Sequence, residues 1–318
     1  MRALVTGASG FVGRHLVETL RRDGADVVAC GGPHDSAEYL RIDLADIHSL
    51  RSALEAARPD VTFHLAAQTF VPESLQSPLE IYEVNAIGSA RLAQAVREYA
   101  SHSKAPRIVF ASSAEVYGAR EPSEYPLREA LNSQPSTPYG ASKAAAEAML
   151  TAYARSFSIN VVIGRFFNTI GPGQSDRFVV ASLATQLAAI AAGGARELHV
   201  GNLGAARDFI DVRDAVAAYL ALARDGESGE AYNVCSGAAV SIRDVLRELI
   251  TIAHVPVEVR EDAARMRSAD IPISVGDPAK LRARTGWSAQ IPLPRSLRDV
   301  YESAKLVLSG SKDARVHL

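Results

Sequence analysis

Short apolar segments rich in β-forming residues alternate along the chain with longer segments that have helical spacing. The apolar segments lie at 2–6, 25–30, 40–43, 61–65, 107–112 and 160–165. Helical spacing begins after a glycine-rich stretch at 7–13 and again near residue 46, and it extends over 79–100 and 139–157. Right-handed crossovers place such helices on both faces of a parallel sheet. The pattern therefore predicts an α/β fold built on a doubly wound parallel sheet.

The alternation loosens after residue 166, which indicates a second and smaller unit. A turn, two helical segments, a glycine-rich stretch and a further apolar strand follow at 171–173, 178–192, 214–224, 193–207 and 232–235. The segment at 232–235 is predicted to return to the main sheet. We therefore predict a first domain of residues 1–166 and 211–236, and an interleaved C-terminal α/β substrate domain of 167–210 and 237–308. Residues 309–318 are predicted to form a disordered tail.

The composition is ordinary for a globular protein and lacks a strong charge. The chain has 318 residues, of which 47% are hydrophobic and 22% charged, and the formal net charge is −2. Such a charge provides no basic field for nucleic acid or for an anionic membrane surface. No apolar stretch approaches the ~18 residues of a membrane-spanning helix. We therefore expect no nucleic-acid or membrane partner, and a few well-placed groups must hold any anionic ligand.

Cysteine and histidine usage indicates a reducing compartment and no metal centre. Cys30 and Cys235 are the only cysteines, too few for a disulfide framework, and both are predicted to be buried. His64 lies in an apolar strand and is predicted to be a hydrogen-bonded core residue. The first predicted strand leaves no room for a signal peptide, and no acidic or histidine cluster has the spacing of metal ligands. We expect a cytoplasmic protein without a catalytic metal.

A glycine loop lies between the first strand and the first helix. Gly7, Gly10 and Gly13 have the spacing G-x-x-G-x-x-G. In this position the first glycine permits a tight turn and the second a close approach to a pyrophosphate. The third permits helix–strand packing, and the helix N-terminus favours the negative charge. The loop therefore predicts a dinucleotide-binding (Rossmann) domain.

The end of the second strand bears on the choice of dinucleotide. An NAD-binding chain usually carries Asp or Glu there to bind the ribose hydroxyls, but this chain has Gly31 and Gly32. Asp35 takes that role only if the following loop folds back. The missing carboxylate and a positive charge at Arg14 favour NADPH over NADH.

Three residues in fixed order have the character of a catalytic set. Tyr139 and Lys143 are four residues apart at the start of a helical segment, so they share one helix face. An ammonium about 5 Å from the phenol would favour the phenolate by about 3 kcal/mol, or roughly two pKa units. Ser112 and Ser113 follow a buried strand, at the sheet edge that faces the cofactor. A serine hydroxyl there can bind a substrate oxygen while Tyr139 transfers the proton.

These motifs resemble the extended short-chain dehydrogenase/reductase family over nearly the whole chain. The matching phrases are TGASGFVG (6–13), RIDLAD (41–46), HLAAQ (64–68), VN (84–85), SSAEVYG (112–118), YGASK (139–143) and RFFN (165–168). The resemblance implies that Ser113 is the catalytic serine, that Asp43 reads the adenine amino group and that Asn168 contacts a sugar nucleotide. The residues expected at the cofactor are Gly7, Ser9, Gly10, Phe11, Val12, Gly13, Arg14, Asp43, Leu44, Leu65, Ala66, Ala67, Asn85, Tyr139, Lys143 and Phe166.

The second half of the chain resembles the nucleotide-sugar branch of this family. In the segments at 201–214 and 265–287, Arg207 and Arg267 match positions that clamp the substrate diphosphate. Two fixed guanidinium groups suit a dianionic ligand on a protein of low net charge. The resemblance implies a substrate domain that binds a nucleotide-diphosphate sugar. The residues expected at the substrate are Gln68, Asn168, Val179, Arg207, Arg267 and Asp270.

Within this branch, the segments at 167–180 and 201–214 and the phrase YNVCSG look most like GDP-4-keto-6-deoxy-mannose reductases. Such enzymes reduce the C4 ketone to give GDP-6-deoxy sugars such as GDP-rhamnose. Glu115 leaves a 4,6-dehydratase as a second interpretation, because such enzymes place at this position the base that removes the C5 proton. A 4-epimerase and a non-catalytic NAD(P)-binding sensor remain further alternatives. Family members commonly form homodimers through helices such as those at 79–100 and 139–157, and we expect a homodimer here.

Overall fold

The computed structural model describes residues 1–32, 35–36, 38–265 and 271–310. Its strands are β1 Arg2–Thr6, β2 Asp26–Gly31, β3 Leu40–Arg41, β4 Val61–His64, β5 Arg107–Ser113, β6 Val161–Phe166, β7 Asn168–Ile170, β8 Glu197–Val200, β9 Ala206–Asp211, β10 Ala231–Val234, β11 Ala239–Ser241, β12 Glu258–Glu261 and β13 Ile273–Ser274. Its α-helices are α1 Phe11–Arg22, α2 Ile47–Ala57, α3 Val71–Gln76, α4 Pro78–Tyr82, α5 Gly88–Tyr99, α6 Pro138–Phe157, α7 Val179–Ala191, α8 Val212–Asp225, α9 Ile242–Ala253, α10 Ala279–Thr285 and α11 Leu293–Leu308.

A parallel sheet forms the centre of the molecule. Within the described residues it has seven strands in the order β3-β2-β1-β4-β5-β6-β10. The predicted doubly wound sheet is confirmed, and the segment predicted at 232–235 does return to it, as β10 beside β6. The strand order reverses between β1 and β4. Such a reversal opens a crevice at the carboxyl ends of the strands, where ligands bind in folds of this kind.

Side-chain alternation along β1 explains why helices cover both faces of this sheet. Ala3 and Val5 join one buried cluster with residues of α1 and α8. Leu4 points the other way and joins a second cluster with residues of α2, α5 and α6. Successive strand residues face opposite sides of a sheet. Both faces of β1 are apolar, so the strand is stable only when helices cover both.

Smaller sheets carry the second half of the chain. Strands β11, β9 and β13 pair in that order, β7 joins them along β9, and β8 pairs with β12. A third buried cluster packs helices α7, α9 and α11 on this part of the molecule and includes Leu187, Leu249 and Tyr301. The boundaries predicted for the two domains stay a prediction. Of the predicted tail, residues 311–318 lie outside the described part of the chain.

The segment expected as one helix over 79–100 is interrupted. Helix α4 ends at Tyr82, a π-helical turn occupies Glu83–Ile87, and α5 begins at Gly88. Turns of this kind are frequent at functional sites. Here the turn contains Asn85, which exchanges two hydrogen bonds of 2.9 Å with the backbone of Gln68. The hydrophobic spacing alone did not reveal this interruption. Among the described helices, none is both long and apolar enough to cross a bilayer.

A buried carboxylate joins the smaller sheet to the main one. Asp208 on β9 is fully buried and accepts hydrogen bonds from the backbone and hydroxyl of Ser236, at 2.7 and 2.6 Å. It also accepts from the amides of Gly237 and Gly276, at 2.9 and 3.3 Å. Burial raises the pKa of this carboxyl, and the four donors oppose the rise. Asp208 therefore fixes the segment after β10 and the segment after β13 to β9.

We expect Asp208→Ala to lower the free energy of unfolding by about 3 kcal/mol or more, because buried donors lose their acceptor. Urea unfolding followed by circular dichroism measures this change. Asp225→Ala is the matched control, since its carboxylate makes a surface ion pair with Arg224, and it should cost less than about 1 kcal/mol. Equal losses in the two variants would contradict this role of Asp208.

Candidate active site

A cavity of about 1360 Å³ runs along the carboxyl ends of the main strands and into the smaller sheet. Its walls include the glycine loop after β1, the ends of β4 and β5, the start of α6, and the segment from β7 to α7. It therefore lies where the strand order predicts a ligand site. The four predicted catalytic residues line this cavity, and so do all the predicted cofactor residues except Arg14 and Asn85.

The glycine loop is shaped to receive a pyrophosphate. Gly7 has φ of +71°, and a β-carbon there would lie 2.6 Å from the amide nitrogen of Ala66. At Gly13 a β-carbon would lie 2.1 Å from the carbonyl oxygen of Gly7, so helix α1 packs directly on the loop. Helix α1 has no side-chain cap and no acidic residue in its first turn. Its N-terminal amides thus remain available for an anion, which fits a dinucleotide.

Most of the other predicted cofactor residues line the cavity, and two do not. Those in its walls are Ser9, Phe11, Val12, Asp43, Leu44, Leu65, Ala66, Ala67 and Phe166. Arg14 is outside the lining, and its guanidinium donates to the carbonyl of Gly173 at 3.3 Å. Asn85 is also outside it and holds the backbone of Gln68 from behind, with a further bond of 3.0 Å to Ser142. Asn85 therefore shapes the cavity wall without forming part of it.

The predicted catalytic set is assembled by packing α6 on β5. Ser113 is the last residue of β5, and its hydroxyl is near enough to that of Tyr139, in the first turn of α6, to oppose the rise of the tyrosine pKa. Lys143, one turn later, donates to the carbonyl of Ala111 at 2.7 Å. Thr137 caps the helix by accepting from the amide of Gly140 at 3.0 Å, and it also lines the cavity. The sequence analysis missed Thr137, although Thr-Pro before a helical segment is a helix-start signal.

Burial, and not the lysine charge, dominates the protonation of this set. Burial raises the pKa of Tyr139 to about 12, and the nearby Glu115 carboxylate adds to the rise. The same burial lowers the pKa of Lys143 to about 7, opposed in part by the charge of Glu147. The sequence-based expectation that Lys143 lowers the tyrosine pKa is therefore wrong for the protein alone. Tyr139 is consequently a protonated group that can donate its proton at neutral pH.

A buried ion pair fixes α6 in this position. Glu147, one turn beyond Lys143, accepts from Ser112 at 2.5 Å and from the guanidinium of Arg165 at 2.7 and 3.0 Å. Arg165 belongs to β6 and also donates to the hydroxyl of Tyr117 at 2.9 Å. Buried charges are tolerated only when they are paired and hydrogen-bonded. This network therefore ties α6, β5 and β6 together directly behind the catalytic residues.

Residues from both halves of the chain form the far end of the cavity. The predicted substrate residues Gln68, Asn168, Val179 and Arg207 all lie in its walls, whereas Arg267 and Asp270 lie outside the described residues. Glu115 lines the cavity beside Ser113, whose hydroxyl accepts from the Glu115 amide at 3.2 Å.

The segment after β4 and the segment before α7 meet at the opening of the cavity. Arg177 forms an ion pair with Glu73, and its guanidinium lies 4.0 Å from the ring centre of Phe70. Phe70 and Phe178 pack edge to face with ring centres 6.0 Å apart. Arg265 is a further cation in the walls. No local pattern reveals these pairs, since Glu73 and Arg177 are distant in sequence.

Two predictions about other buried residues are confirmed. His64 is fully buried between the hydroxyls of Thr6 and Ser89, at 2.7 and 2.9 Å, and burial together with the Lys143 charge lowers its pKa to about 3. Cys30 and Cys235 are buried and free, and burial raises both thiol pKa values. In the part of the chain that the structure describes, no three His, Cys, Asp or Glu residues lie together as metal ligands would.

The fold, the glycine loop and the Ser–Tyr–Lys set define a nicotinamide-dependent enzyme of the short-chain dehydrogenase/reductase class. The family model for GDP-mannose 4,6 dehydratase matches residues 4–300. The chain therefore belongs to this nucleotide-sugar family of extended short-chain dehydrogenases/reductases.

Individual relatives span nearly the whole molecule. The chain is 39% identical to GDP-6-deoxy-D-mannose reductase of Pseudomonas aeruginosa over 300 residues, which cover 94% of this chain and 95% of that protein. The structure of RMD from Pseudomonas aeruginosa complexed with NADPH superposes with a TM-score of 0.86 at 36% identity, over 96% of this chain and 99% of that one. UDP-glucose 4-epimerase of Thermus thermophilus, in complex with NAD, gives 0.85 at 31% identity over 96% and 99%.

The lowered pKa of Lys143 predicts a pH-dependent effect of Lys143→Met on stability. The folded protein carries the cost of a buried ammonium below about pH 7, and this cost fades as pH rises toward the pKa of a free lysine. The melting temperature of the variant relative to wild type should be about 4 °C more favourable at pH 6 than at pH 9. Scanning calorimetry at both pH values measures this, with Lys104→Met, an exposed lysine, as control. A difference independent of pH would contradict the prediction.

Proposed function

We propose that this enzyme reduces the C4 ketone of a nucleotide-diphosphate 4-keto-6-deoxy sugar, with GDP-4-keto-6-deoxy-mannose as substrate and a GDP-6-deoxy sugar as product. The observation that carries the proposal is a single cavity with the glycine loop at one end, arginines at the other, and Ser113 and Tyr139 in its wall. The likeness to GDP-6-deoxy-D-mannose reductase along almost the whole chain supports this choice of sugar.

The electrostatics of the far end suit a nucleotide diphosphate. Arg207 and Arg265 line this end, and each guanidinium can bind phosphate oxygens in a bidentate way. A protein with a net charge of −2 needs such fixed cations, because its overall field does not attract a dianion. Apolar side chains at the opening, including Phe70 and Phe178, restrict the entry of water.

The proposed chemistry is proton donation to a ketone oxygen as it becomes an alkoxide. A reduced nicotinamide, when bound, supplies the hydride that C4 accepts. Tyr139 donates its proton to the oxygen, since its raised pKa keeps the phenol protonated. Ser113 lines the cavity with Tyr139 and orients the same oxygen. Lys143 holds the face of α6 against β5 through Ala111 and places a proton-carrying group one turn from Tyr139.

Glu115 supports one second candidate, a 4,6-dehydratase. Its carboxylate lines the cavity and acts electrostatically on Tyr139, so it is close enough to serve the same substrate as a base. A 4-epimerase would use the same Ser–Tyr–Lys set and would retain its cofactor between turnovers. We favour the reductase because the chain resembles GDP-6-deoxy-D-mannose reductase along almost its whole length.

The nicotinamide cofactor is NADPH or NADH. The sequence-based preference for NADPH had two premises, and the structure gives contacts for the side chains that each premise concerns. One premise was the absence of a carboxylate at the end of β2. The carboxylate of Asp35, four residues after this strand, accepts a hydrogen bond from the amide of Gly32. The other was a positive charge from Arg14, whose guanidinium is directed to Gly173. The free, buried cysteines support a reducing, cytoplasmic location.

We also propose that the enzyme forms a homodimer through α5 and α6. Ala141, Ala145, Ala148 and Ala152 recur at helical spacing on α6 and are partly or fully exposed. Small residues on one helix face permit close approach of another helix. Helix α5 packs beside α6, so both would contribute to a bundle across a two-fold axis.

We expect purified protein to consume NADPH or NADH in proportion to added GDP-4-keto-6-deoxy-mannose. Tyr139→Phe should lower kcat at least about 100-fold, because the proton donor is lost. Tyr153→Phe is the matched control on the same helix, since that hydroxyl bonds to Gln94 and lies outside the cavity lining. Absorbance of the reduced nicotinamide follows the reaction, and NMR identifies the product at C4.

Absence of cofactor consumption with this sugar would contradict the reductase. Formation of a keto sugar from GDP-mannose without added reductant, abolished by Glu115→Gln, would establish the dehydratase in its place.

For the homodimer, we expect light scattering to give twice the chain mass of 33.9 kDa. Ala148→Arg should give the mass of one chain, because a charged side chain cannot be buried in the helix contact. Ala192→Arg, at the exposed end of α7, should leave the dimer intact. A monomeric wild-type protein would overturn this part of the proposal.

A further inference from the structure

One buried tyrosine in the cavity wall has a hydroxyl that the protein itself does not bind. Tyr219 lies on α8 and is only 3% exposed, yet it lines the cavity. Within the described part of the chain its hydroxyl makes no hydrogen bond, although the oxygen keeps some accessible surface, which faces the cavity. A buried phenol ordinarily has a hydrogen-bond partner, because an unpaired polar group away from water costs free energy. The Tyr219 hydroxyl is therefore available to a ligand in the cavity.

Aromatic packing fixes the direction of this hydroxyl. The ring of Tyr219 is stacked on Phe166, with ring centres 4.2 Å apart and an angle of 20° between the planes. It also meets Phe63 edge to face, with ring centres 6.4 Å apart. Phe63 belongs to β4 and Phe166 to β6, so contacts with two strands of the main sheet hold the ring. These contacts keep the hydroxyl directed toward the cavity.

Packing alone would be served equally well by phenylalanine at this position. The neighbours of Tyr219 on α8 in the same buried cluster include Val216, Ala218 and Leu222, which are all apolar. The hydroxyl forms no bond within this cluster. Burial raises the pKa of Tyr219 well above its usual range, and the charge of Tyr139 adds to the rise. The phenol therefore stays protonated at neutral pH and acts as a hydrogen-bond donor.

The part of the cavity wall around Tyr219 lies between the glycine loop and the catalytic set. Leu65 and Ala111 pack against the cluster that contains Tyr219 and Phe166, and all four line the cavity. Leu65, Ala111 and Phe166 lie at or near the carboxyl ends of β4, β5 and β6. A dinucleotide with its pyrophosphate on the glycine loop must deliver hydride beside Tyr139, so its nicotinamide end has to cross this part of the wall.

The carboxamide is the group on the nicotinamide ring that complements a phenol donor. Its carbonyl oxygen is a hydrogen-bond acceptor, and the rest of the reduced ring offers no acceptor of similar strength. A hydrogen bond to this oxygen also restricts rotation of the ring about its bond to the ribose. That rotation decides which face of the ring is turned toward the ketone.

We propose that Tyr219 is a cofactor-binding residue whose hydroxyl donates a hydrogen bond to the carboxamide oxygen of the nicotinamide and so orients the ring. The proposal rests on the proposed function only in requiring a nicotinamide dinucleotide, and it holds whichever sugar is reduced.

Direct binding tests the proposal without any sugar substrate. Wild type and Tyr219→Phe, both freed of nucleotide, are titrated in a calorimeter with whichever of NADPH and NADH wild type binds more tightly. They are also titrated with ADP-ribose that carries the same 2′ group but lacks the nicotinamide. Tyr219→Phe should weaken binding of the dinucleotide by about fivefold to tenfold, as expected for one hydrogen bond. The affinity for the ADP-ribose should not change.

Two analogues of the reduced cofactor identify the acceptor atom. The thionicotinamide analogue has sulfur in place of the carboxamide oxygen, and the 3-acetylpyridine analogue keeps the oxygen but replaces the amide nitrogen by a methyl group. The loss of affinity in Tyr219→Phe should persist with the acetylpyridine analogue. It should shrink to less than about twofold with the thionicotinamide analogue, because sulfur is a weak acceptor.

The melting temperature of the nucleotide-free protein separates a ligand-binding hydroxyl from a structural one. Tyr219→Phe should leave this temperature unchanged or raise it, because the hydroxyl has no protein partner to lose. Tyr232→Phe is the matched control, since its buried hydroxyl accepts from the Glu227 amide at 3.1 Å and lies outside the cavity lining. That variant should lower the melting temperature and leave cofactor binding unchanged.

Each of the other outcomes decides the matter. Unchanged dinucleotide affinity in Tyr219→Phe, an equal loss with ADP-ribose or with the thionicotinamide analogue, or a lowered melting temperature would overturn the role of Tyr219. The C4 reduction would still stand. The expected binding changes in a protein that turns over no keto sugar would support Tyr219 and contradict the proposed function. Failure of wild type to bind either NADPH or NADH would overturn both.

Discussion

The attachment of α6 to β5 is the constraint on which the active site depends. Glu147 bridges Ser112 and Arg165, and Lys143 reaches the carbonyl of Ala111, so the helix is held to two adjacent strands by buried polar bonds. Removing one partner from such a network leaves an uncompensated buried charge, which is costly. The helix therefore has one position on the sheet, and Tyr139 reaches Ser113 because of it.

The burial that this attachment requires also sets the proton chemistry. Tyr139 and Lys143 are almost completely buried, and desolvation disfavours the phenolate of one and the ammonium of the other. A phenol that keeps its proton suits donation to a developing alkoxide. A lysine that loses its proton near neutral pH makes the set sensitive to any charge brought into the cavity, a substrate diphosphate included. The burial that comes with packing α6 on the sheet is therefore also the main cause of the pKa shifts of Tyr139 and Lys143.

The segments that surround this fixed centre and line the opening of the cavity are not part of the main sheet. The opening is formed by contacts between the segment after β4 and the one before α7, through Phe70, Phe178, Arg177 and Glu73. Asp35, which follows β2, accepts a hydrogen bond from Ser9 of the glycine loop. Loops carried by a rigid sheet can differ between relatives without loss of the core. This is consistent with reductases, epimerases and dehydratases sharing one fold.

The sequence by itself determined the sheet, the glycine loop and the placement of Tyr139 and Lys143 on one helix, because each rests on local spacing: apolar strands, G-x-x-G-x-x-G, and a Tyr–Lys pair one helical turn apart. Tertiary structure decided the contacts and the burial that local spacing does not predict. The π-helical turn that directs Asn85 to Gln68, the burial that raises the Tyr139 pKa, and the pairing of Arg177 with Glu73 all depend on segments distant in sequence. The hydrogen bonds of Arg14 to Gly173 and of Ser9 to Asp35 likewise join residues that are distant in sequence.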